Sequence, residues 1–276
     1  MKPLQPIMVT HLFPKVWAEL LSLLSGLSPT EWDAPTACSP WTVKEVAQHL
    51  LGGDVAILSR KRDGYTGSSE PIKDWPELIA LINALNDTWI TATRRMSPRL
   101  LCDLLEFTGR QVYEYFQSLD PEVLGEPVSW AGSGPAPVWL DLAREYTERW
   151  HHQQHIRDAV GKPGLKEVRF FAPVLDAFIR AWPHTYRDVE AKDGTLISLI
   201  ISGEAGGRWF LLRQDQTWQL YLAVVQTPQA EVVMPQEVAW RLFTKGLTQE
   251  EAQKHTNISG NQQLGAKILD MVSIIA

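Results

Sequence analysis

The sequence predicts a mainly helical N-terminal domain followed by a small α+β domain. Apolar residues recur at helical spacing over most of the first 160 residues. From about residue 195 onward, short stretches rich in β-branched and aromatic residues indicate strands. Gly161 and Gly164, with Lys162 and Pro163 between them, separate the two patterns. We therefore expect a helical domain at residues 1–163 and an α+β domain at residues 164–276.

The helices of the first domain are bounded by residues that begin or end helices, such as Ser28-Pro29 and Ser97-Pro98. The third and fourth predicted helices form either one kinked helix or two separate helices. A loop rich in proline and glycine precedes the last predicted helix. Since no strand pattern interrupts them, they predict a bundle of about four helices. The predicted helices run from about Thr10 to Leu27, Trp41 to Leu58, Trp75 to Met96, Pro98 to Leu119 and Pro137 to Val160.

The second helix is predicted to begin at Ser39 and Pro40, because serine caps helices and proline is favoured in the first turn. His49 lies within this helix. Gly52 and Gly53 follow and remove side chains from the next turn, so another group is expected to approach the helix closely there. For His49 alone, a core histidine hydrogen-bonded to a neighbour and an inward-facing metal ligand both remain open.

The C-terminal domain is predicted to begin with an apolar helix around Phe171 to Trp182. Two of its strands form a predicted hairpin across residues 214–216, and helices near its end complete an α+β fold. The predicted strands are Thr195 to Ser202, Arg208 to Arg213, Thr217 to Val224 and Gln229 to Met234, and the later helices are Pro235 to Thr244 and Asn261 to Ile274.

The composition narrows the class of protein. The 276 residues exceed the usual size of one domain, and 45% hydrophobic residues are enough for a full core. A net charge of -6 and a pI near 5.7 argue against nucleic-acid partners. No stretch has the length of a signal peptide or a membrane span, and two cysteines are too few for a disulfide framework or a thiolate metal site. We therefore expect a cytoplasmic protein that binds neither nucleic acid nor membrane.

The stretch Glu148–His155 holds three of the seven histidines of the chain. On a helix, Glu148, His152 and His155 fall within an arc of roughly 60° beside a stripe of apolar residues. Glu148 and His152 are four residues apart, which places their side chains on adjacent turns. A divalent metal such as zinc, iron, nickel or manganese could bind both, with another ligand from elsewhere in the chain. Alternatively, Glu148 pairs with Arg144 or Arg149, and the histidines form a polar face half in solvent.

Two separated motifs together resemble a known family. The pattern W-T-V-x-x-V-A-x-H-L covers Trp41 to Leu50, and a later E-x-x-x-H at Glu148 and His152 is followed by A-x-G at Ala159 to Gly161. Residues 9 to 161 thereby resemble the N-terminal domain of the mycothiol-dependent maleylpyruvate isomerase family, one of the DinB-like metal-binding four-helix bundles. The C-terminal part resembles the sterol-carrier-like domain that often accompanies it.

The resemblance implies that His49, Glu148 and His152 bind one divalent metal, with zinc expected first and nickel or iron as alternatives. It also implies that a low-molecular-weight thiol is a cosubstrate, whose pKa the metal lowers so that the thiolate attacks a small electrophile. The expected reaction is S-transfer or isomerisation. The partners are then the thiol and a small-molecule substrate, and the chain is expected to be a monomer or homodimer.

Two positions depart from the family pattern. His155 stands where the family often has aspartate, so it is expected to be catalytic as a proton carrier, or to serve as a fourth ligand or an orienting residue. An arginine near the end of the second domain is expected to hold a dicarboxylate, but no arginine follows Arg241. Arg208, Arg213 and Arg241 are the candidates, and each could equally be an ordinary exposed arginine.

Two other functions fit the same residues. A binding protein without catalysis would hold a structural metal or none in its bundle, and would bind a lipid or another ligand in an apolar pocket of the second domain. A hydrolase would use metal-bound hydroxide and act without added thiol. Cys38 lies close before the helix of His49, where a lowered pKa or a half-buried structural role are both open.

Overall fold

The structure is a computed structural model that describes residues 1–67 and 74–274. Contacts divide the chain into two compact units. Of the described residues, the helical unit holds 9–67, 74–120 and 145–165, and the α+β unit holds 1–8, 121–144 and 166–274. The predicted fold class, helices followed by an α+β region, is confirmed. The predicted boundary between residues 163 and 164 stays a prediction.

Long helices make up most of the helical unit. The third and fourth predicted helices are two separate helices, because the first ends at Thr93 and Ser97 caps the next with its side chain. The last helix begins among residues of the α+β unit, and its residues from Glu145 onward belong to the helical unit. The helices are α1 (Phe13–Ser25), α2 (Pro29–Trp32), α3 (Val43–Ala56), α4 (Trp75–Thr93), α5 (Pro98–Ser118) and α6 (Val138–Val160). A π-helical turn, Ile57–Arg62, extends α3.

One hydrophobic core joins these helices. Apolar residues of α1, α3 and α5 face one another there, and Ile156 brings α6 into the same cluster. Burial of such side chains is the main term that holds helices together in water. The fully or almost fully buried members are Leu20, Leu23, Leu24, Trp32, Val43, Val46, Ala47, Leu50, Leu51, Leu101, Leu105 and Ile156.

The start of α3 differs from the prediction. The N-cap is Thr42, whose side-chain oxygen accepts a hydrogen bond from the backbone N–H of Glu45, and the Glu45 carboxylate accepts one from the backbone N–H of Thr42. This reciprocal pair satisfies two N–H groups that the helix leaves without partners. The prediction that Ser39 and Pro40 begin the helix was therefore wrong, since both lie in the turn before it.

The glycines of α3 allow one close approach. A Cβ on Gly52 would lie 2.9 Å from two ring atoms of Trp89, which belongs to α4. The Trp89 indole N–H donates to the backbone carbonyl of Gln48 at 2.7 Å, which fixes the ring against α3. The predicted close approach is confirmed at Gly52, whereas Gly53 has nothing within 4 Å of its Cβ position.

A buried ion-pair network aligns α3 with α6. One guanidinium nitrogen of Arg149 lies 2.8 Å from a carboxylate oxygen of Asp54, and the other lies 2.8 Å from one of Glu145. The hydroxyl of Thr108, on α5, donates to the second oxygen of Asp54 at 2.9 Å. Because buried charges need partners, this network fixes the turns of α3 and α6 that carry the candidate site.

The α+β unit is built on a six-stranded sheet with the order β1-β4-β3-β2-β5-β6. The predicted hairpin is confirmed, and β2 pairs in parallel with β5 while the other neighbours are antiparallel. Sequence analysis missed the two edge strands, which have two and four residues. The strands are β1 (Lys2–Pro3), β2 (Leu196–Ser202), β3 (Gly207–Gln214), β4 (Thr217–Ala223), β5 (Ala230–Pro235) and β6 (Asn257–Gly260).

Short helices accompany this sheet. The predicted helix before the strands is present as α7, and the helix after β5 is present as α9. The predicted helix from Asn261 is a short helix followed by a 3-10 turn, Lys267–Asp270. In the part of the chain that the structure describes, no helix is both long and apolar enough to span a bilayer. The helices are α7 (Val168–Ile179), α8 (Trp182–Thr185), α9 (Gln236–Phe243), α10 (Gln249–Gln253) and α11 (Gln262–Ala266).

Candidate metal centre

The three predicted metal ligands lie together in the helical unit. Glu148 and His152 project from adjacent turns of α6, with Nε2 of His152 3.4 Å from Oε2 of Glu148. His49 projects from α3, and its ring centroid is 4.6 Å from that of His152. One ligand atom from each of the three residues lies within 4.8 Å of the others. Two helices far apart in sequence thus place two imidazoles and one carboxylate around one point.

The histidines of α6 are buried. His151, His152 and His155 are only 2%, 8% and 6% exposed, so the alternative of a polar face half in solvent was wrong. Arg149 pairs with Asp54 and Glu145, as described above. Arg144 pairs with Asp141 at 2.8 Å. Each of these two arginines thus has a carboxylate partner other than Glu148.

The pKa values of the clustered side chains favour the protonation states that bind metals. Burial lowers the pKa of His152 to about 3, with further lowering by the charges of His151 and His49 and an opposite effect of Glu148. Burial raises the pKa of Glu148, but the nearby imidazoles of His151, His152 and His49 outweigh it and leave this pKa well below its ordinary value. A neutral imidazole beside an ionised carboxylate is the state in which both coordinate a cation.

His49 is held by neighbours on two sides. Its ring lies 5.0 Å from the ring of Trp41, measured between centroids. Burial lowers its pKa, while Glu148 and a hydrogen bond with Asn86 of α4 act in the opposite direction. A hydrogen bond on one ring nitrogen orients the other, which is how proteins commonly fix histidine ligands.

His155 contacts a residue from outside α6. Its Nδ1 lies 2.8 Å from Sγ of Cys38, and Nδ1 of His152 lies 3.8 Å from the same sulfur. Burial, followed by the charge of Glu148, raises the pKa of the Cys38 thiol to about 12. The thiol is therefore protonated at neutral pH, and it is one of the hydrogen-bonding partners of His155.

A tight turn before α3 holds Cys38 in place. The backbone N–H of Cys38 donates to the hydroxyl of Thr36 at 3.2 Å, and the backbone carbonyl of Cys38 accepts from the N–H of Trp41 at 2.8 Å. The Thr36 hydroxyl also donates to the carbonyl of Trp41 at 2.7 Å. These bonds present the sulfur to the histidines from a part of the chain more than 100 residues earlier.

Sequence analysis did not single out His151 or the contact of Cys38. His151 is three residues after Glu148, a spacing that could have indicated a shared face. Its Nδ1–H donates to the carbonyl of Thr147 at 2.8 Å, and its ring centroid is 4.1 Å from that of His152. The position of Cys38 depends on the turn before α3, which no spacing rule predicts.

The donor atoms of His49, Glu148 and His152 fit a divalent metal. Imidazole nitrogen and carboxylate oxygen suit zinc, nickel or iron, and three protein ligands are typical of sites that keep a position for an exogenous ligand. Cys38, His152 and His155 form a further group whose ligand atoms lie within 4.8 Å of one another. Metal binding by the predicted ligands, and a catalytic role of His155, stay predictions.

The candidate arginines for an anionic substrate already have partners in the α+β unit. Arg241 lies 2.6 Å from the Glu237 carboxylate, and Arg208 bonds to Glu231 and to the hydroxyl of Ser198. Arg213 packs over the ring of Trp218, with its guanidinium carbon 5.6 Å from the ring centroid. An incoming carboxylate would have to compete with Glu237 or Glu231 for the first two.

A family model matches the part of the chain that carries the candidate site. The profile of the family described as mycothiol maleylpyruvate isomerase N-terminal domain matches residues 13–157, which include His49, Glu148, His152 and His155. A comparison with curated protein sequences gave no match.

Solved structures provide a second comparison. A crystal structure of a histidine-to-alanine mutant of the mycothiol-dependent maleylpyruvate isomerase is 14% identical, with a TM-score of 0.55 over 94% of this chain and 96% of that one. Another crystal structure of the mycothiol-dependent maleylpyruvate isomerase is also 14% identical, with a TM-score of 0.52 over 88% and 91% of the two chains. At this identity the structures establish the fold alone.

Proposed function

Since the chain belongs to the mycothiol maleylpyruvate isomerase N-terminal domain family, we propose that it is a divalent-metal-dependent enzyme acting with a low-molecular-weight thiol such as mycothiol. The proposed reaction is S-transfer to a small electrophile or its isomerisation. The observation that carries the proposal is the convergence of His49, Glu148 and His152, whose ligand atoms lie within 4.8 Å of one another.

The three proposed ligands would contribute different donor groups to the cation. His49 and His152 offer neutral nitrogen donors, and Glu148 offers the negative charge that partly balances a divalent ion. A bound zinc, or alternatively nickel or iron, would lower the pKa of a thiol placed against it and so make the sulfur a nucleophile at neutral pH. The side chain of Glu148 is 28% exposed, so small molecules are proposed to enter on its side of the cluster.

His155 is proposed to accept the proton that the thiol loses. Its Nδ1 lies 2.8 Å from the sulfur of Cys38, so the proton of an incoming thiol can reach this nitrogen through the Cys38 thiol. Burial of both His152 and His155 keeps bulk water from taking the proton instead. In this scheme His155 moves a proton, and the three ligands hold the cation.

The proposal names a small electrophile and not a dicarboxylate. Recognition of a dicarboxylate needs paired cationic groups. In the described residues of the α+β unit, Arg208 and Arg241 are engaged by Glu231 and Glu237. Maleylpyruvate is therefore one substrate to test, and the proposal does not depend on its isomerisation.

The first test is the metal content of protein purified without chelator. We expect at least about one zinc, nickel or iron per chain in the unaltered protein, and none in the double variant His49→Ala/His152→Ala. Glu148→Gln should weaken binding at least about tenfold, because it removes the anionic ligand. His11→Ala is the matched control, since His11 is an exposed histidine in the helical unit outside the cluster.

The second test is turnover of small electrophiles, maleylpyruvate included, with and without mycothiol or another low-molecular-weight thiol. Thiol-dependent turnover that disappears in the double variant supports the proposal. A protein that binds no metal even after reconstitution would contradict it. Turnover of an ester or amide without any thiol would instead identify a metal-dependent hydrolase.

A further inference from the structure

The cluster contains a second set of donor atoms on the opposite edge of the His152 ring. Nε2 of His152 faces Glu148 at 3.4 Å, whereas Nδ1 of the same ring faces the sulfur of Cys38 at 3.8 Å. Nδ1 of His155 is 2.8 Å from that sulfur. One imidazole thus stands between two groups of possible ligands.

We propose that Cys38, His152 and His155 form a second metal site, selective for a thiophilic divalent cation such as zinc. One ligand atom from each residue lies within 4.8 Å of the others. A sulfur with two imidazole nitrogens is a donor set that zinc prefers over magnesium or calcium. The site shares His152 with the ligands of the proposed function and uses the other nitrogen of its ring.

The distances are close to those that such a site needs. With zinc bonds of about 2.3 Å to sulfur and about 2.0 Å to nitrogen in a tetrahedral site, the sulfur and nitrogen atoms are about 3.5 Å apart. The separation of Cys38 Sγ from Nδ1 of His152 is already near this value. The distance between Cys38 Sγ and Nδ1 of His155 has to lengthen by about 0.7 Å. Rotation of the Cys38 side chain about its Cα–Cβ bond can provide this change.

The surrounding structure fixes the positions of these three side chains. His152 and His155 are more than nine-tenths buried on one helix, so their rings are fixed by packing. The turn that carries Cys38 is closed by the hydrogen bonds of Thr36 and Trp41 described above. Cys38 itself is half-buried, which leaves a route for the cation and for a fourth ligand from solvent.

Binding has a defined proton balance. The cation takes the place of the proton on the Cys38 sulfur, and that proton is released to solvent. If the first site is filled as well, the shared ring of His152 binds through both nitrogens and gives up its N–H proton too. The cation at the second site therefore binds more tightly at higher pH, whether or not the first site is filled.

The second site would also oppose the proposed function, on which this consequence rests. A cation on Nδ1 of His155 takes the nitrogen that accepts the thiol proton in that scheme. Excess zinc should therefore act as an inhibitor, whereas the first equivalent activates.

Cobalt makes the two sites distinguishable, because a thiolate ligand gives cobalt a charge-transfer absorption in the near ultraviolet that nitrogen and oxygen ligands do not.

The experiment is cobalt titration of the chelated full-length protein, followed by absorption and by elemental analysis after gel filtration. We expect two equivalents and the thiolate band in the unaltered protein. Cys38→Ala and Cys38→Ser, which keeps the size of the side chain, should each bind one equivalent without the band. Cys102→Ser is the matched control and should keep both equivalents and the band.

Variants of the first site separate this inference from the proposed function. His49→Ala should keep one equivalent together with the thiolate band, and His152→Ala should lose both. One outcome would overturn the second site and leave the first intact. In that outcome the unaltered protein binds a single equivalent without the band, and this equivalent is lost in His49→Ala and kept in Cys38→Ala. A single equivalent with the band that His49→Ala keeps and Cys38→Ala loses would support the second site and contradict the first.

Discussion

At the scale of single residues, Glu237 shows how a half-exposed carboxylate can be held in its charged form. One of its oxygens accepts hydrogen bonds from Lys166 at 2.7 Å, from the indole N–H of Trp240 at 3.0 Å and from Arg241 at 2.6 Å. Partial burial raises its pKa, but these three donors outweigh burial and leave the pKa below its ordinary value of 4.5. The folded state therefore favours the ionised carboxylate.

Replacing Glu237 by Gln should lower the free energy of unfolding at neutral pH by up to about 1 kcal/mol, because the ion pairs are partly exposed and screened. A depressed pKa in the folded state gives stability that is present above the ordinary pKa and lost as the pH falls through the folded pKa. The difference between variant and unaltered protein should thus shrink below about pH 4.5. Urea unfolding from about pH 7 to pH 3 measures it.

The control for this experiment is Glu250→Gln, because the Glu250 side chain is 87% exposed and its partner Lys254 is 3.6 Å away. It should change the free energy of unfolding little at any pH. An equal loss for Glu237→Gln at both ends of the pH range would show that the donors do not discriminate between the charged and neutral carboxyl.

At the scale of elements, the contact between α3 and α4 depends on a missing side chain. Gly52→Ala gains helix propensity of up to about 1 kcal/mol, but its Cβ would lie 2.9 Å from the Trp89 ring. That ring cannot move freely, since its N–H is bonded to the backbone of α3. Overpacking of this kind costs about 1–3 kcal/mol, so we expect a net loss of stability in chemical denaturation.

Gly53→Ala provides the matched comparison one residue further along the same helix. The site is exposed and open, so only the propensity gain remains and the variant should be more stable by up to about 1 kcal/mol. If both variants were stabilised equally, the packing of Trp89 on α3 would not be as described.

The elements were predicted to different degrees for physical reasons. Long amphipathic helices such as α5 carry many periods of the apolar pattern, so their existence was clear from the sequence. The edge strands β1 and β6 have too few residues for any alternation to be recognised. The start of α3 was misplaced although Thr42 and Glu45 stand at the spacing of a capping box, a signal that outweighs an isolated Ser-Pro pair.

The candidate site was predictable only in part. Glu148 and His152 share one helix, so their spacing alone placed them together. His49 lies about 100 residues earlier, and only the resemblance to a known family joined it to them. Cys38 reaches the histidines through a tertiary contact and a specific turn, which no local pattern in the sequence encodes.

At the scale of the whole molecule, a cation at the proposed site would bind α3 to α6 and so oppose unfolding. The unfolded chain does not hold His49, Glu148 and His152 together, so the cation binds the folded state preferentially. At a free zinc concentration of about 100 times Kd, the free energy of unfolding should rise by about 2.7 kcal/mol. Thermal unfolding of the chelated protein, with and without added zinc, measures the effect as an increase in Tm.

The double variant His49→Ala/His152→Ala should show no such increase at the same zinc concentration. An equal increase in both proteins would mean that zinc stabilises the chain from some other place, and would contradict the proposed ligands.

The pairing of β1 has a consequence for the order in which the chain folds as it is made. Lys2 and Pro3 pair with Ala223 and Tyr221, so this edge of the sheet cannot close before β4 has been synthesised. The residues of the helical unit precede β4 in the chain, since the unit ends at Leu165 and β4 begins at Thr217. At a synthesis rate of about 5–20 residues per second, it has a head start of roughly 3 to 12 seconds. All three proposed metal ligands are therefore synthesised before this edge of the sheet can close.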